Sequence, residues 1–253
     1  MPLLVLCAYM TKVSIVIAVY NSHEAVKRQK LYFDKMNLPD DVEFIFVDDG
    51  SYPPLRDYGI DNLRVIHTHD KRPWTQGLAR NIGAKYAKGE YLFFTDIDHI
   101  LSKEAIEEAR NFTGDKMIFP RHYGVLLEDG TLTQDEDVLV EYGTPRERLH
   151  TKRGTYASVH GNTYVIKKST FDMLGGYREK NCTFGHHAPR RRGEDCVFNR
   201  LWNNYANKEK VWFEVGPKIY IFPVGRYNKD GDLNPKGLFH NLSQEQSPQP
   251  LKE

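Results

Sequence analysis

Cysteine is scarce in this 253-residue chain: the three present, Cys7, Cys182 and Cys196, are odd in number and show no C-x-x-C spacing. Neither a disulfide framework nor a zinc site is suggested, and a reducing cytosol is the simplest home. Long apolar runs are missing too. None approaches the roughly 20 residues needed to span a bilayer, and peripheral contact with a membrane stays open. Excess charge of either sign is absent, since 35 Lys and Arg offset 34 Asp and Glu for a net +1. Such a chain has no global field for holding nucleic acid or an anionic membrane, so electrostatic recognition must be local. There is no internal repeat. No G-x-G-x-x-G follows the first strand-like run, which argues against a dinucleotide-binding oxidoreductase.

What is present is the balance of a globular protein, 40% hydrophobic and 27% charged, long enough to bury a substantial core. The apolar opening, Met1 to Met10, is too short for a membrane span and lacks the basic leader and cleavage site of a signal peptide. Either Met10 is the natural start and the preceding residues are an upstream extension, or this is an ordinary first strand or loose terminus.

From Val13 the pattern becomes regular. Val13 to Val19 is a β-branched apolar run that reads as a buried parallel strand. Ser22 then stands as a helix cap, with Ala25, Val26, Tyr32, Phe33 and Met36 near helical spacing. Val42 to Val47 is a second strand and Leu63 to His67 a third. Thr75 could cap a helix whose face is marked by Leu78, Ile82 and Tyr86, with Gly89 placed to end it. Tyr91 to Thr95 is a fourth strand, followed by a helix from a Ser102 cap through Phe112. Strands alternating with helices over this stretch predict an α/β fold with a mostly parallel, doubly wound sheet and helices on both faces. Beyond it, Met117 to Pro120 and Tyr164 to Ile166 are strands, Asp129-Gly130 a turn and Cys196 to Tyr205 a helix, while residues 121 to 160 are polar and resist assignment. The expected organisation is one domain over residues 11–242, with halves 11–112 and 113–242, and a disordered tail at 243–253.

Two acidic clusters terminate apolar strands. In open α/β sheets ligands bind beyond the carboxyl ends of the strands, so Asp48-Asp49 and Asp96-Ile97-Asp98 should converge on one crevice beside Tyr20. If the chain stays extended past the strand, the Asp96 and Asp98 carboxylates point to the same side. Two hard oxygen ligands suit Mg²⁺ or Mn²⁺, whose remaining shell is completed by water and substrate phosphates. The bland alternative is a solvated strand-end turn, and Asp49-Gly50 could likewise be only a turn.

The blocks VSIVIAVYNS, FIFVDDGS and GLARNIGAKYAKGEYLFFTDID, in that order, resemble the amino-terminal half of family 2 glycosyltransferases, which have the GT-A fold. The resemblance covers residues 12 to 112 well and 155 to 205 more loosely. It implies an inverting transfer of a sugar from a nucleotide-diphosphate sugar, UDP by family habit, to a carbohydrate or other hydroxyl acceptor, as in polysaccharide or glycoconjugate synthesis. By the resemblance, Ala18, Tyr20, Asp48, Asp49, Arg80 and Asp96 serve the donor nucleotide, with Tyr20 stacking on the base. Arg80 would reach a phosphate or buttress the aspartates; a packed strand-end aromatic and a solvated helix arginine are the alternatives for Tyr20 and Arg80. Asp96 and Asp98 are implied at the metal, with Asp98 the direct ligand, and His240 as a carboxy-terminal ligand or a packing residue. His99 stands where the family often has another Asp.

Gly193-Glu194-Asp195 resembles the family's carboxy-terminal E-D motif. Asp195 is implied as general base, because an inverting transfer needs a carboxylate opposite the leaving phosphate; it could instead complement a helix amino end. Gly161, Glu194 and Arg192 belong to the loop region near the acceptor or donor sugar. The run His186 to Arg192 is not part of the family pattern. It suits the diphosphate, an anionic acceptor, nucleic acid or simply a charged lid, and near-neutral net charge argues against the nucleic acid. Two other readings compete: a non-catalytic protein of the same fold, and a sugar-phosphate nucleotidyltransferase. The latter favours a glycine-rich basic loop after the first strand, where this chain has Ala18 to Ser22.

Overall fold

The computed structural model describes residues 11–56, 58, 62–70, 75–144, 146–149, 156–157, 161–178 and 194–222. The first half runs β1 (Val13–Val19), α1 (His23–Met36), β2 (Val42–Asp48), β3 (Leu63–His67), α2 (Gln76–Tyr86), β4 (Tyr91–Asp96), β5 (His99–Ile100) and α3 (Lys103–Asn111). Then come β6 (Lys116–Ile118), β7 (Arg121–Tyr123), β8 (Val125–Leu126), β9 (Leu132–Thr133), α4 (Glu136–Glu141), α5 (Arg146–Leu149) and β10 (Tyr156–Ala157). The chain closes with β11 (Tyr164–Lys167), α6 (Lys168–Met173), α7 (Glu194–Glu209), β12 (Phe213–Val215) and β13 (Ile219–Ile221).

Among the described residues the main sheet has the order β12-β6-β11-β4-β1-β2-β3. β11 runs antiparallel to both its neighbours, and the other pairings are parallel. β1 is an interior strand, buried at every position, which is why its sequence is apolar rather than alternating, except at Ser14, whose buried hydroxyl donates to Glu43 Oε1 at 2.6 Å. Its residues still divide by face. Val13, Ile15, Ile17 and Val19 join α1 and α3 in one core cluster, whereas Val16 and Ala18 join α2, α6 and α7 in the other. The sheet is thus covered on both sides, as the strand–helix alternation predicted.

Several local expectations are corrected. The Ser22 side chain does not cap α1; its hydroxyl donates to the Tyr20 carbonyl at 2.8 Å. Thr75 precedes α2 without a side-chain cap bond. That helix presents Gly77, Ala79, Arg80, Gly83 and Ala84 to the interior, while Leu78 and Ile82 are only partly buried and Tyr86 is exposed. Small residues face inward because α2 lies very close to the sheet: a Cβ on Gly83 would press on Val16 Cγ1 and lie 3.0 Å from Val47 Cγ2. Gly89 does not end α2, which stops at Tyr86. Instead it passes β1 so closely that a Cβ would lie 2.6 Å from the Ser14 nitrogen. Ser102 does cap α3, accepting from Ala105 N at 3.1 Å, and Gly130 turns between β8 and β9 at φ 80°.

The stretch that resisted assignment supplies β7 and β10 to a small sheet, β10-β7-β13-β5, completed by β5 and β13, and forms the β8-β9 hairpin. Its apolar residues Val125, Leu126, Leu139 and Leu149 form a third cluster with Ala25, Ile100, Tyr220 and Phe222. Their partners lie far away in sequence, so no short-range periodicity announces them. Met1 to Met10, the 186–192 run and the 243–253 tail lie outside the described residues. No described helix is long and apolar enough to cross a membrane.

Candidate active site

The carboxyl ends of β1, β2 and β4 lie side by side, because Val19 pairs with Asp48 and Ala18 with Asp96. Strand register therefore brings the two acidic clusters to one edge. A pocket of about 420 Å³, open to solvent, is lined there by Ala18, Tyr20, Ser22, Asp49, Gln76 and Ile97.

The adjacent acids Asp48 and Asp49 have different work. Asp48 is buried and committed to its own loop: Oδ1 accepts from Ser51 N at 2.8 Å, and Oδ2 from Leu55 N at 2.9 Å and pairs with His67 Nδ1 at 3.0 Å. It shapes the loop and does not line the pocket. Asp49 does line it, and accepts from Thr75 N at 2.7 Å and from the Thr75 hydroxyl. Burial pushes its carboxyl up to about 6, against the pull of the Thr75 bonds. Burial also raises the Tyr20 phenol, reinforced by the Asp49 charge.

Arg80 is neither solvated nor at the pocket wall. It is fully buried, its Nη2 donates to Asp96 Oδ1, and its guanidinium lies 5.6 Å from the Tyr177 ring centroid. It buttresses Asp96, which also accepts from Gln76 Nε2 at 2.7 Å. Gln76 was not foreseen. It follows Thr75 directly, in a position that looked like ordinary helix initiation.

The chain does not stay extended beyond Asp96. Ile97 and Asp98 form a turn into β5, so the turn, not strand pleating, brings the acids together. Ligand-type atoms of Asp96, Asp98 and His99 lie within 4.8 Å of one another. Two hard carboxylate donors at this spacing suit Mg²⁺ or Mn²⁺. The His99 ring has other partners: Nδ1 meets Thr163 Oγ1 at 2.6 Å and Nε2 meets Arg121 Nη1 at 3.1 Å. Since the guanidinium can only donate, Nε2 accepts and Nδ1 carries the proton. Burial pulls the imidazole down to about 4, so it is neutral. His99 therefore acts as a strut under the turn, and Asp96 and Asp98 are the groups fit to hold a cation. Burial lowers the Arg121 guanidinium, with the Asp98 and Asp96 charges pulling the other way.

β11 carries the second half of the chain to this edge. Tyr164 pairs with Phe94, and Thr163 lies 3.4 Å from the Thr95 hydroxyl, one residue before Asp96. Gly161 is an exposed turn residue just ahead, where a Cβ would lie 2.6 Å from Asn199 Nδ2 on α7. The start of α7 is anchored by Phe198, stacked on Tyr164 and Tyr177. Tyr177 also hydrogen-bonds Tyr164 at 2.8 Å and lies beneath Arg80. Asp195 lies in the first turn of α7, half-buried, and accepts from Cys196 N at 2.7 Å. Glu194 opens the helix, but its side chain, like Arg192 and His240, is outside the described residues.

Glycosyl transferase family 2 matches residues 14–175. The poly(ribitol-phosphate) beta-N-acetylglucosaminyltransferase TarP of Staphylococcus aureus (strain N315) is 30% identical over 113 residues, covering 41% of this chain and 33% of TarP. An uncharacterized glycosyltransferase of Rickettsia conorii is 32% identical over 211 residues, covering 79% of this chain and 31% of that protein. The chain thus spans less than half the length of these relatives. Among solved structures, S. aureus TarS 1-349 in complex with UDP aligns with TM-score 0.51 at 20% identity, covering 83% of this chain and 60% of that one. The Pyrobaculum calidifontis mannosyltransferase PcManGT in complex with GDP-Man and Mn²⁺ aligns with TM-score 0.51 at 14% identity, covering 88% and 59%. At such identities the structures speak to the fold alone, which is GT-A. With the family pattern running from β1 to the end of α6, the chain belongs to glycosyl transferase family 2.

Proposed function

We propose that this chain transfers a sugar from a nucleoside-diphosphate sugar, with UDP the favoured nucleotide, to a hydroxyl acceptor with inversion. The observation that carries the reading is the convergence of Tyr20 and Asp49 on one pocket, next to the paired carboxylates Asp96 and Asp98. Proteins of the same fold take such ligands, TarS being solved with UDP and with UDP-GlcNAc and PcManGT with GDP-Man and Mn²⁺, which agrees with a nucleoside-diphosphate sugar and a divalent cation; uridine is the family's habit.

In this reading the Tyr20 ring stacks on the base, an interaction worth roughly 1–3 kcal/mol. Ionised Asp49 accepts from the imide N–H of uracil. Asp48 keeps the loop in shape, and Arg80 with Gln76 aims Asp96. When bound at Asp96 and Asp98, Mg²⁺ or Mn²⁺ neutralises charge on the departing diphosphate. Asp195 takes the proton of the acceptor hydroxyl as its oxygen attacks the anomeric carbon. The bond from that carbon to the diphosphate oxygen breaks on the opposite face, through an oxocarbenium-like transition state. Gly161 and the start of α7 border the acceptor side.

Calorimetric titration of UDP and GDP, each with and without Mn²⁺, on wild type and Asp98→Ala tests the reading. Metal-dependent binding of UDP that is lost in the variant supports it. Binding of neither nucleotide would sink it. UDP binding with no turnover against any donor–acceptor pair would favour a non-catalytic protein of the same fold.

A further inference from the structure

Gln29 lies on the inward face of α1 and is fully buried. Its amide nitrogen donates to the Ile97 carbonyl at 2.7 Å and to the His99 carbonyl at 2.8 Å. These are the two carbonyls that flank Asp98. The Asp98 carbonyl itself accepts from Phe222 N, just beyond β13, at 2.9 Å. Three consecutive carbonyls of the acidic turn are therefore held by elements that come far earlier and far later in the chain.

The orientation of the Gln29 amide follows from its partners, since turning it over would set Oε1 against two carbonyl oxygens. Oε1 is buried and has no hydrogen-bond partner among the described residues. Leaving a buried acceptor unsatisfied is unfavourable. A residue serving only to fill this space could be leucine or methionine, with no such cost. The site instead keeps an amide, gives up its acceptor, and places both donors on the turn.

We propose that Gln29 is a positioning residue for the cation site. It holds the Ile97–Asp98 and His99–Ile100 peptide planes, leaving the plane between them to Phe222, so that the Asp98 carboxylate already stands beside Asp96 when metal and nucleotide arrive. A hard cation held by two protein carboxylates depends on their orientation, and outer-shell hydrogen bonds supply it. The inference rests on the reading above that Asp96 and Asp98 hold a divalent cation. It adds a residue outside every acidic or glycine-rich block.

The test is Gln29→Met, which keeps volume and removes both donors. Mn²⁺ affinity is measured by electron paramagnetic resonance on the full chain with UDP present, and thermal melting in EDTA. Phe33→Leu is the control: it loosens the same helix where it packs on Phe44, away from the turn. The expected result is a Mn²⁺ Kd weakened about tenfold or more, a melting loss no larger than that of the control, and turnover largely restored at saturating Mn²⁺. A folded Gln29→Met protein with wild-type Mn²⁺ affinity overturns the proposal. If that variant does not fold, Gln29→Asn, whose amide is one methylene short of the turn, is read in the same way. If neither folds, Gln29 serves the fold alone and the proposal is wrong. Wild type that binds no Mn²⁺ with UDP would overturn the metal reading itself, a failure distinct from unchanged affinity in the variants.

Discussion

Thr75 holds Asp49 with both its donors: the backbone N–H reaches Oδ2 at 2.7 Å and the hydroxyl reaches Oδ1. A residue placed to cap α2 thus spends its side chain on the pocket carboxylate. The Asp49 carboxyl titrates at about 6 in the fold against 3.8 normally, burial being the main cause. The folded state binds this proton more tightly, so stability falls as pH rises from the unfolded value through about 6, and the penalty is complete above that. Its size is at most about 3 kcal/mol. Asp49→Asn should therefore gain stability relative to wild type at pH 8 but not at pH 3. Thr75→Val, which removes a bond that lowers this pKa, should extend the falling limb to higher pH. Urea unfolding across pH reads both. A flat difference between Asp49→Asn and wild type would contradict the assignment.

Arg80 is wholly buried, and its partner Asp96 is 13% exposed. Breaking such a pair from one side leaves an uncompensated charge, which costs about 3–5 kcal/mol. Arg80→Met should lose stability on that scale and weaken UDP binding, although Arg80 lies outside the pocket lining. Chemical denaturation and calorimetry on the same sample would separate the two effects.

Lys116 is nearly fully buried, with its ammonium 4.4 Å from the Tyr164 ring centroid, 5.1 Å from that of Trp202 and 3.1 Å from Asn199 Oδ1. Burial pulls its amine down to about 7. The folded state therefore binds fewer protons between about 7 and the normal value of 10.5, so stability rises with pH across that window and the full penalty applies below it. Lys116→Met should stabilise the protein more at pH 6 than at pH 10. A variant equally or less stable at pH 6 would show that the surrounding rings fully compensate the charge.

Alanine is a better helix former than glycine by up to about 1 kcal/mol, yet Gly83→Ala should lower the thermal midpoint. The new methyl group meets Val16 and Val47, both fully buried, and overpacking of this kind costs about 1–3 kcal/mol. A raised midpoint would mean that α2 can lift from the sheet.

Asp195→Asn should leave Mn²⁺-dependent UDP binding intact and reduce transfer by at least about 100-fold, the lower range for a positioned general base. Normal transfer in this variant would remove Asp195 from the reaction.

Much of this protein is written locally. A strand covered on both faces is apolar wherever no partner satisfies a polar side chain, so β1, with Ser14 its one polar residue, announces itself. Strands that end in acids at the same sheet edge announce where a ligand would sit. The division of labour between Asp48 and Asp49 is not local, because it depends on which N–H groups reach each carboxylate: Ser51 and Leu55 for one, Thr75 for the other. The inward face of α2 is not local either. The sheet approaches too closely for large side chains, so Gly83 and Ala79 mark the contact that Leu78 and Ile82 were expected to make. The antiparallel entry of β11 beside β4, the neutral strut of His99 and the hold of Gln29 on the acidic turn all join segments distant in the chain. Periodicity reports which residues avoid water. Which polar groups meet one another is a property of the packed chain, because a hydrogen bond needs its partner within about 3 Å, wherever in the sequence that partner lies.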